Sequence, residues 1–218
     1  NWSQAHAVDG GLQVGKADYG SPVAVQHAAL WSGTAESFVD LNPAGATSSN
    51  GYAIGGDQQA GRALWNGAFR ASLWTGTAAS WVNLNPATAV RSEAYAVGDG
   101  QQGGYARVSS KDRAALWSGT AASWVDLHPA AATGSYVFGV RGGQQVGAAW
   151  VGGEYRAATW TGSAASWVDL NPAGAEESEA SRNRDGLIVG YAAFDGVAHA
   201  GMWSRSAASW MDLHPAGS

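Results

Sequence analysis

The chain has no cysteine. That excludes disulfide staples, thiolate nucleophiles and cysteine-based zinc sites, and leaves the redox compartment open. Charge is also scarce: 13% of residues are Asp, Glu, Lys or Arg, the net charge is −5, and the 12 Lys and Arg are scattered. Without a basic patch a nucleic-acid partner is disfavoured. No run approaches the roughly 20 apolar residues of a membrane-spanning helix, so membrane insertion is not expected. No leader of basic residues, apolar run and small-residue site is visible, a condition that a mature secreted protein shares. No useful stretch carries a helical period.

Glycine and tryptophan are plentiful instead, 31 and 12 of them in 218 residues that are 45% apolar. Such a chain has apolar surface to bury and length enough for one core. Abundant glycine with little charge fits short strands joined by tight turns.

The chain is built from five copies of a 43-residue unit. Trp31, Trp74, Trp117, Trp160 and Trp203 keep that step, as do Phe38, Trp81, Trp124, Trp167 and Trp210, and Pro43, Pro86, Pro129, Pro172 and Pro215. Units run over about 2–47, 48–90, 91–133, 134–176 and 177–218; the first has three extra residues around Tyr19-Gly20-Ser21-Pro22. In the third unit Ala94-Tyr95-Ala96-Val97 reads as a strand that ends at the turn pair Asp99-Gly100. Further strands are expected over Gln101 to Val108, Ala114 to Ser118, and Ser123 to Leu127, the last stopped by Pro129. Four strands in about 43 residues make one propeller blade. The fold class expected is all-β: a single five-bladed β-propeller domain with four antiparallel strands per blade. A solenoid would need atypical terminal caps. Here both terminal units carry the full motif, which favours a closed ring, sealed by packing of the first blade on the last or by residues such as Trp2 pairing across the gap.

Ala94 to Gly104 together with Ala115-Leu116-Trp117, repeated along the whole chain, resembles the HAF-type extracellular repeat of bacteria. The strand order is also similar to a Kelch-like blade, in architecture only, since the Kelch double glycine is missing. The HAF resemblance implies a secreted or cell-surface bacterial protein, with a propeller fold and no established chemistry.

Several repeated side chains are candidates for a site. Trp124, Asp126 and His128 alternate onto one side of the fourth strand; the equivalents are Trp81-Asn83-Asn85, Trp167-Asp169-Asn171, Trp210-Asp212-His214 and Phe38-Asp40-Asn42. An aromatic face beside carboxylate and amide groups suits a neutral sugar. The same residues also read as blade glue and as a turn-capping Asp. His27, Arg70, Arg113, Arg156 and His199 form a cationic ring suited to bridging those acids. Gln58-Gln59, Gln101-Gln102 and Gln144-Gln145 read as exposed strand starts or as ligand contacts at one end of a channel. The inner ring is His6, Tyr52, Tyr95, Phe138 and Ser181; beside the last, Arg182 and Arg184 offer an alternative site on the channel.

Catalytic parts are missing: no Ser/His/Asp order, zinc-protease helix motif, phosphate loop or dinucleotide fingerprint occurs. One carboxylate per blade is too widely spaced for a glycosidase pair, and the histidines fall mostly in different blades, so neither an enzyme, a cofactor nor a metal is expected. The expected function is non-catalytic, multivalent and lectin-like, with carbohydrate or another surface ligand as partner. The alternative is a structural or protein-interaction propeller.

Overall fold

The computed structural model describes residues 2–20 and 25–215. The insertion in the first unit therefore lies partly outside the described residues, at Ser21 and Pro22. Twenty strands form five four-stranded antiparallel sheets, each from four consecutive strands. In blade three these are Arg91–Gly98, Gln101–Val108, Lys111–Trp117 and Val125–Asp126. The inner strands of the other blades are Ser3–Asp9, Ser48–Gly55, Ala132–Arg141 and Glu177–Arg184. All five inner strands line one axis, and together they surround the axial cavities described below.

Local chemistry explains the hairpins. Asp99 and Gly100 both take positive φ, 53° and 74°, the condition of the two-residue turn that matches strand twist. The fourth strand is shorter than expected. Val125–Asp126 forms the strand, pairing through Leu116↔Val125 and Ala115↔Asp126, and the Leu127 amide adds one bond to the Ala114 carbonyl at 2.9 Å. The preceding Ala121–Ser123 is a single 3₁₀ turn. Ser123 Oγ accepts from the Ser118 amide at 2.8 Å and donates to the Thr120 carbonyl at 2.7 Å, so this turn satisfies itself rather than the sheet.

The core lies between blades. Trp117 shares a buried cluster with Ala60, Ala71, Leu73 and Leu84 of the preceding blade, and Trp160 does so with Ala114, Leu116 and Leu127. Trp74 and Trp203 repeat the arrangement at the two other internal interfaces. All four indoles are fully buried. Each removes about 150–250 Å² from water, which makes the wedge the main apolar contact of its interface.

A closed ring is not what the described residues form. Blades one and five each complete their own sheet, with no exchange of strands. Trp2 stays within blade one: its amide donates to Asp18 Oδ2 at 2.9 Å and its carbonyl accepts from the Asp18 amide at 2.7 Å. The faces that meet at the four internal interfaces are exposed at the seam: Leu213 is 53% exposed, whereas Leu41, Leu84, Leu127 and Leu170 are fully buried.

Candidate functional site

The axial ring is made by β-bulges. In every inner strand the pairing register skips a residue at the same place in the repeat: His6, Tyr52, Tyr95, Phe138 or Ser181; the inner strand of blade four skips Thr133 as well. A bulge adds one residue to a strand and re-aims its side chain. Here it turns these side chains toward the axis. Glycine opposite the bulge makes room: a methyl group on Gly104 would overlap the Glu93 carbonyl, and Gly15, Gly61, Gly147 and Gly190 hold the same place.

Consecutive rings touch around the axis. His6 and Tyr52 stack at 5.9 Å between centroids, Tyr52 and Tyr95 lie at 5.5 Å, and Tyr95 and Phe138 at 5.8 Å. This belt narrows the axis between two cavities. One, of about 510 Å³, is bounded by the belt together with Gln4, Glu179 and Arg182. The other, of about 230 Å³, is bounded by Tyr52, Tyr95 and Phe138 of the belt together with Arg141, Arg182 and Asn183. The larger volume lies within the range of small-ligand or side-chain pockets.

Behind the belt sits a polar cluster with Glu93, which is buried, at its centre. Its carboxyl accepts from Tyr105 Oη at 3.0 Å, Arg62 Nη1 at 3.0 Å and Tyr52 Oη at 3.3 Å. Burial, and then the neighbouring Glu93, raise the Tyr52, Tyr95 and Tyr105 hydroxyls well above the ordinary phenol value. They therefore stay protonated, and Tyr52 and Tyr105 act as donors to Glu93. Tyr136 continues the cluster by donating to Asp112 at 2.9 Å, and burial and that bond push its hydroxyl up to about 12. The repeat does not single out Glu93, because the equivalent residues are Gln4, Asn50, Tyr136 and Glu179.

The two channel arginines part company. Arg182 borders both cavities, its Nη1 held by the carbonyls of Phe138 at 2.8 Å and Ser181 at 2.7 Å. Arg184 is 76% exposed, beside Asp185 at the hairpin turn, and takes no part in the channel.

The outer-strand residues are engaged by the fold. Asp126 Oδ1 accepts from the His128 amide at 2.9 Å and Oδ2 pairs with Arg113 at 2.6 Å. Asp169 does the same with the Asn171 amide and Arg156; Asp40 and Asp212 pair with His27 and His199. Asn83 keeps the turn contact to the Asn85 amide at 2.9 Å. The hydrogen bond from His199, and next that from the His214 amide, hold the Asp212 carboxyl below its usual range. His128 bridges Ser135 Oγ and the Ala132 carbonyl at 2.7 and 3.0 Å. Trp124, Trp167 and Trp210 are half-buried against the cores holding Trp117, Trp160 and Trp203. Trp81 is likewise half-buried, and its Nε1 donates to Ser72 Oγ at 2.8 Å. Within one blade, then, the expected trio is close together, but as a turn, an ion pair and a packed ring.

The glutamines are not exposed strand starts. Gln59, Gln102 and Gln145 are buried, and each Oε1 accepts the amide of the next turn's glycine, as Gly119 to Gln102 at 2.8 Å. Among the described residues no three His, Cys, Asp or Glu side chains converge as a metal site would require, and no helix is long and apolar enough to cross a membrane.

No family model matches the chain, and no curated protein is significantly similar to it in sequence. The HAF and Kelch resemblances therefore reduce to the propeller architecture, which solved structures do share. A putative TolB from Agrobacterium tumefaciens superposes with a TM-score of 0.64 at 10% identity, over 91% of this chain and 80% of that one. The β-propeller domain of the Trilobed protease from Pyrococcus furiosus, described as having an open velcro topology, gives 0.63 at 10% identity, over 95% of this chain and 66% of that one. TolB from Acinetobacter baumannii gives 0.61 at 8% identity, over 94% of this chain and 52% of that one. At such identities the likeness is one of fold.

Proposed function

We propose that this propeller is a non-catalytic scaffold that binds a protein partner at the wider mouth of its axis. One observation carries the reading. The repeated outer-strand Asp, Asn and His side chains are spent on hydrogen bonds within the fold, whereas the belt of His6, Tyr52, Tyr95 and Phe138 borders an open cavity of about 510 Å³. Aromatic side chains that border a concavity, with an Arg and a Glu at its edge, are the residue types that anchor protein interfaces. A peptide side chain inserted there would stack on the belt, while Arg182 and Glu179 read polar groups of opposite kind. The propeller neighbours fit a scaffold role of this sort. A secreted or cell-surface setting comes with the repeat resemblance and belongs to the same proposal.

Selection from a displayed-peptide library on the immobilised protein tests the reading. Specific binders competing with one another for one site per chain are expected. Retention of glycans on an array, with no peptide binder recovered, would return the outer strands to first place.

A further inference from the structure

The seam carries both halves of a blade interface, each without its mate. On the blade-five side Val189 and Leu213 are 46% and 53% exposed, and Ala200 is exposed. Their counterparts Val14, Ala60 and Val146, the four leucines named above, and Ala28, Ala71, Ala114 and Ala157 are all fully buried. On the blade-one side Val8 is 69% exposed, whereas the equivalent Ile54 and Val140 are 8% and 6%. Trp31 is partly exposed where four tryptophans are fully buried.

The polar tie of each interface is missing there as well. Ser49, Ser92, Ser135 and Ser178 each accept the amide of an alanine in the preceding blade at 2.8–2.9 Å. Ser3 and Ala200 are the fifth such pair by the repeat, and both are exposed.

We infer that the seam is a head-to-tail interface for a second copy of this chain, with blade five of one copy seated on blade one of the next. Continuity with the four internal interfaces argues for this occupant. Each copy displays one complete leading face and one complete trailing face of a contact it already makes four times. The faces of a single copy do not meet: a space of about 290 Å³ in front of Trp31 is bordered by Ser3, Ala5, Gln13, Gly33 and their blade-one neighbours alone. Drawing them together would pry at four interfaces wedged by buried tryptophan. A second copy brings the same surface without that distortion. Such a contact is heterologous, so it closes into a ring or runs on as a chain of copies. An apolar face of this kind on a charge-poor protein also favours association.

Val8→Glu and Leu213→Glu test it by light scattering, each altering one half of the seam. Both side chains are exposed, so the monomer fold should survive, as an unchanged circular dichroism spectrum would show. The unaltered chain should run at twice the monomer mass or more. Each variant alone should be monomeric. An equimolar mixture should regain a twofold mass, because each supplies the half that the other has lost. An unaltered chain that stays monomeric would overturn the inference. So would a single variant that still dimerises, which would mean like faces pair with like.

Discussion

The Oγ of Ser135, in blade four, accepts the backbone N–H of Ala114, in blade three, at 2.8 Å, and contacts His128 Nδ1 at 2.7 Å. One hydroxyl thus ties the third strand and the outer turn of one blade to the inner strand of the next. Ser135→Ala should cost about 1–3 kcal/mol, since the change leaves a buried amide without an acceptor. Ser3→Ala, at the exposed fifth position, should change monomer stability by under about 0.5 kcal/mol. Denaturant titration of the two variants checks the contrast; equal losses would mean that the serine acts within its own blade.

Trp117 and Trp31 occupy the same place in the repeat, one fully buried and one at the seam. Trp117→Ala should cost about 3–5 kcal/mol. Trp31→Ala should cost clearly less, because part of that ring already faces water. Urea unfolding of both measures the difference.

The indole N–H of Trp124 is buried without a partner, whereas that of Trp81 donates to Ser72. The repeat places Ala115 where blade two has Ser72. Ala115→Ser should therefore stabilise the protein by about 0.5–1.5 kcal/mol by supplying the acceptor. A loss of stability in thermal unfolding would mean that the hydroxyl cannot be accommodated in blade three as it is in blade two.

Burial, and then the Arg113 charge, hold the His128 imidazole below its ordinary value of about 6.5. The unfolded chain then takes up this proton at a higher pH than the folded one. The stability tied to neutral His128 is complete above about pH 6.5 and declines as pH falls from there through the lower folded value. His128→Asn should flatten that part of the decline while keeping the fold, because Asn85 and Asn171 fill the equivalent place. Denaturation midpoints across that range, for both chains, provide the comparison.

Much of the architecture can be read from spacing. The 43-residue step of Trp117 and Pro129, and the Asp99-Gly100 turn, announce blades and hairpins because they recur in place. The bulge at Tyr95 does not announce itself, since one unpaired residue leaves the repeat length unchanged. Its one trace is the glycine opposite, Gly104, present in every unit. Leu213 shows a different limit: the repeat carries its core leucine in every blade, whether or not a neighbour covers it. Repetition also singles out Trp124, Asp126 and His128, whose places recur because every blade must close its turn. Glu93 and Arg182 occupy places where the repeat varies, and those places border the axis or lie just behind it.

The most direct measurement is calorimetric titration of one selected peptide against three proteins: the unaltered chain, Tyr95→Ala with Arg182→Ala, and Trp124→Phe with Trp167→Phe. Phe38 already fills the last position in blade one, so the tryptophan variant should fold. The axial variant should bind at least about tenfold more weakly, a loss of about 1.4 kcal/mol, while the outer-strand variant binds like the unaltered chain. Loss of binding in the outer-strand variant, with the axial variant unaffected, would contradict the account.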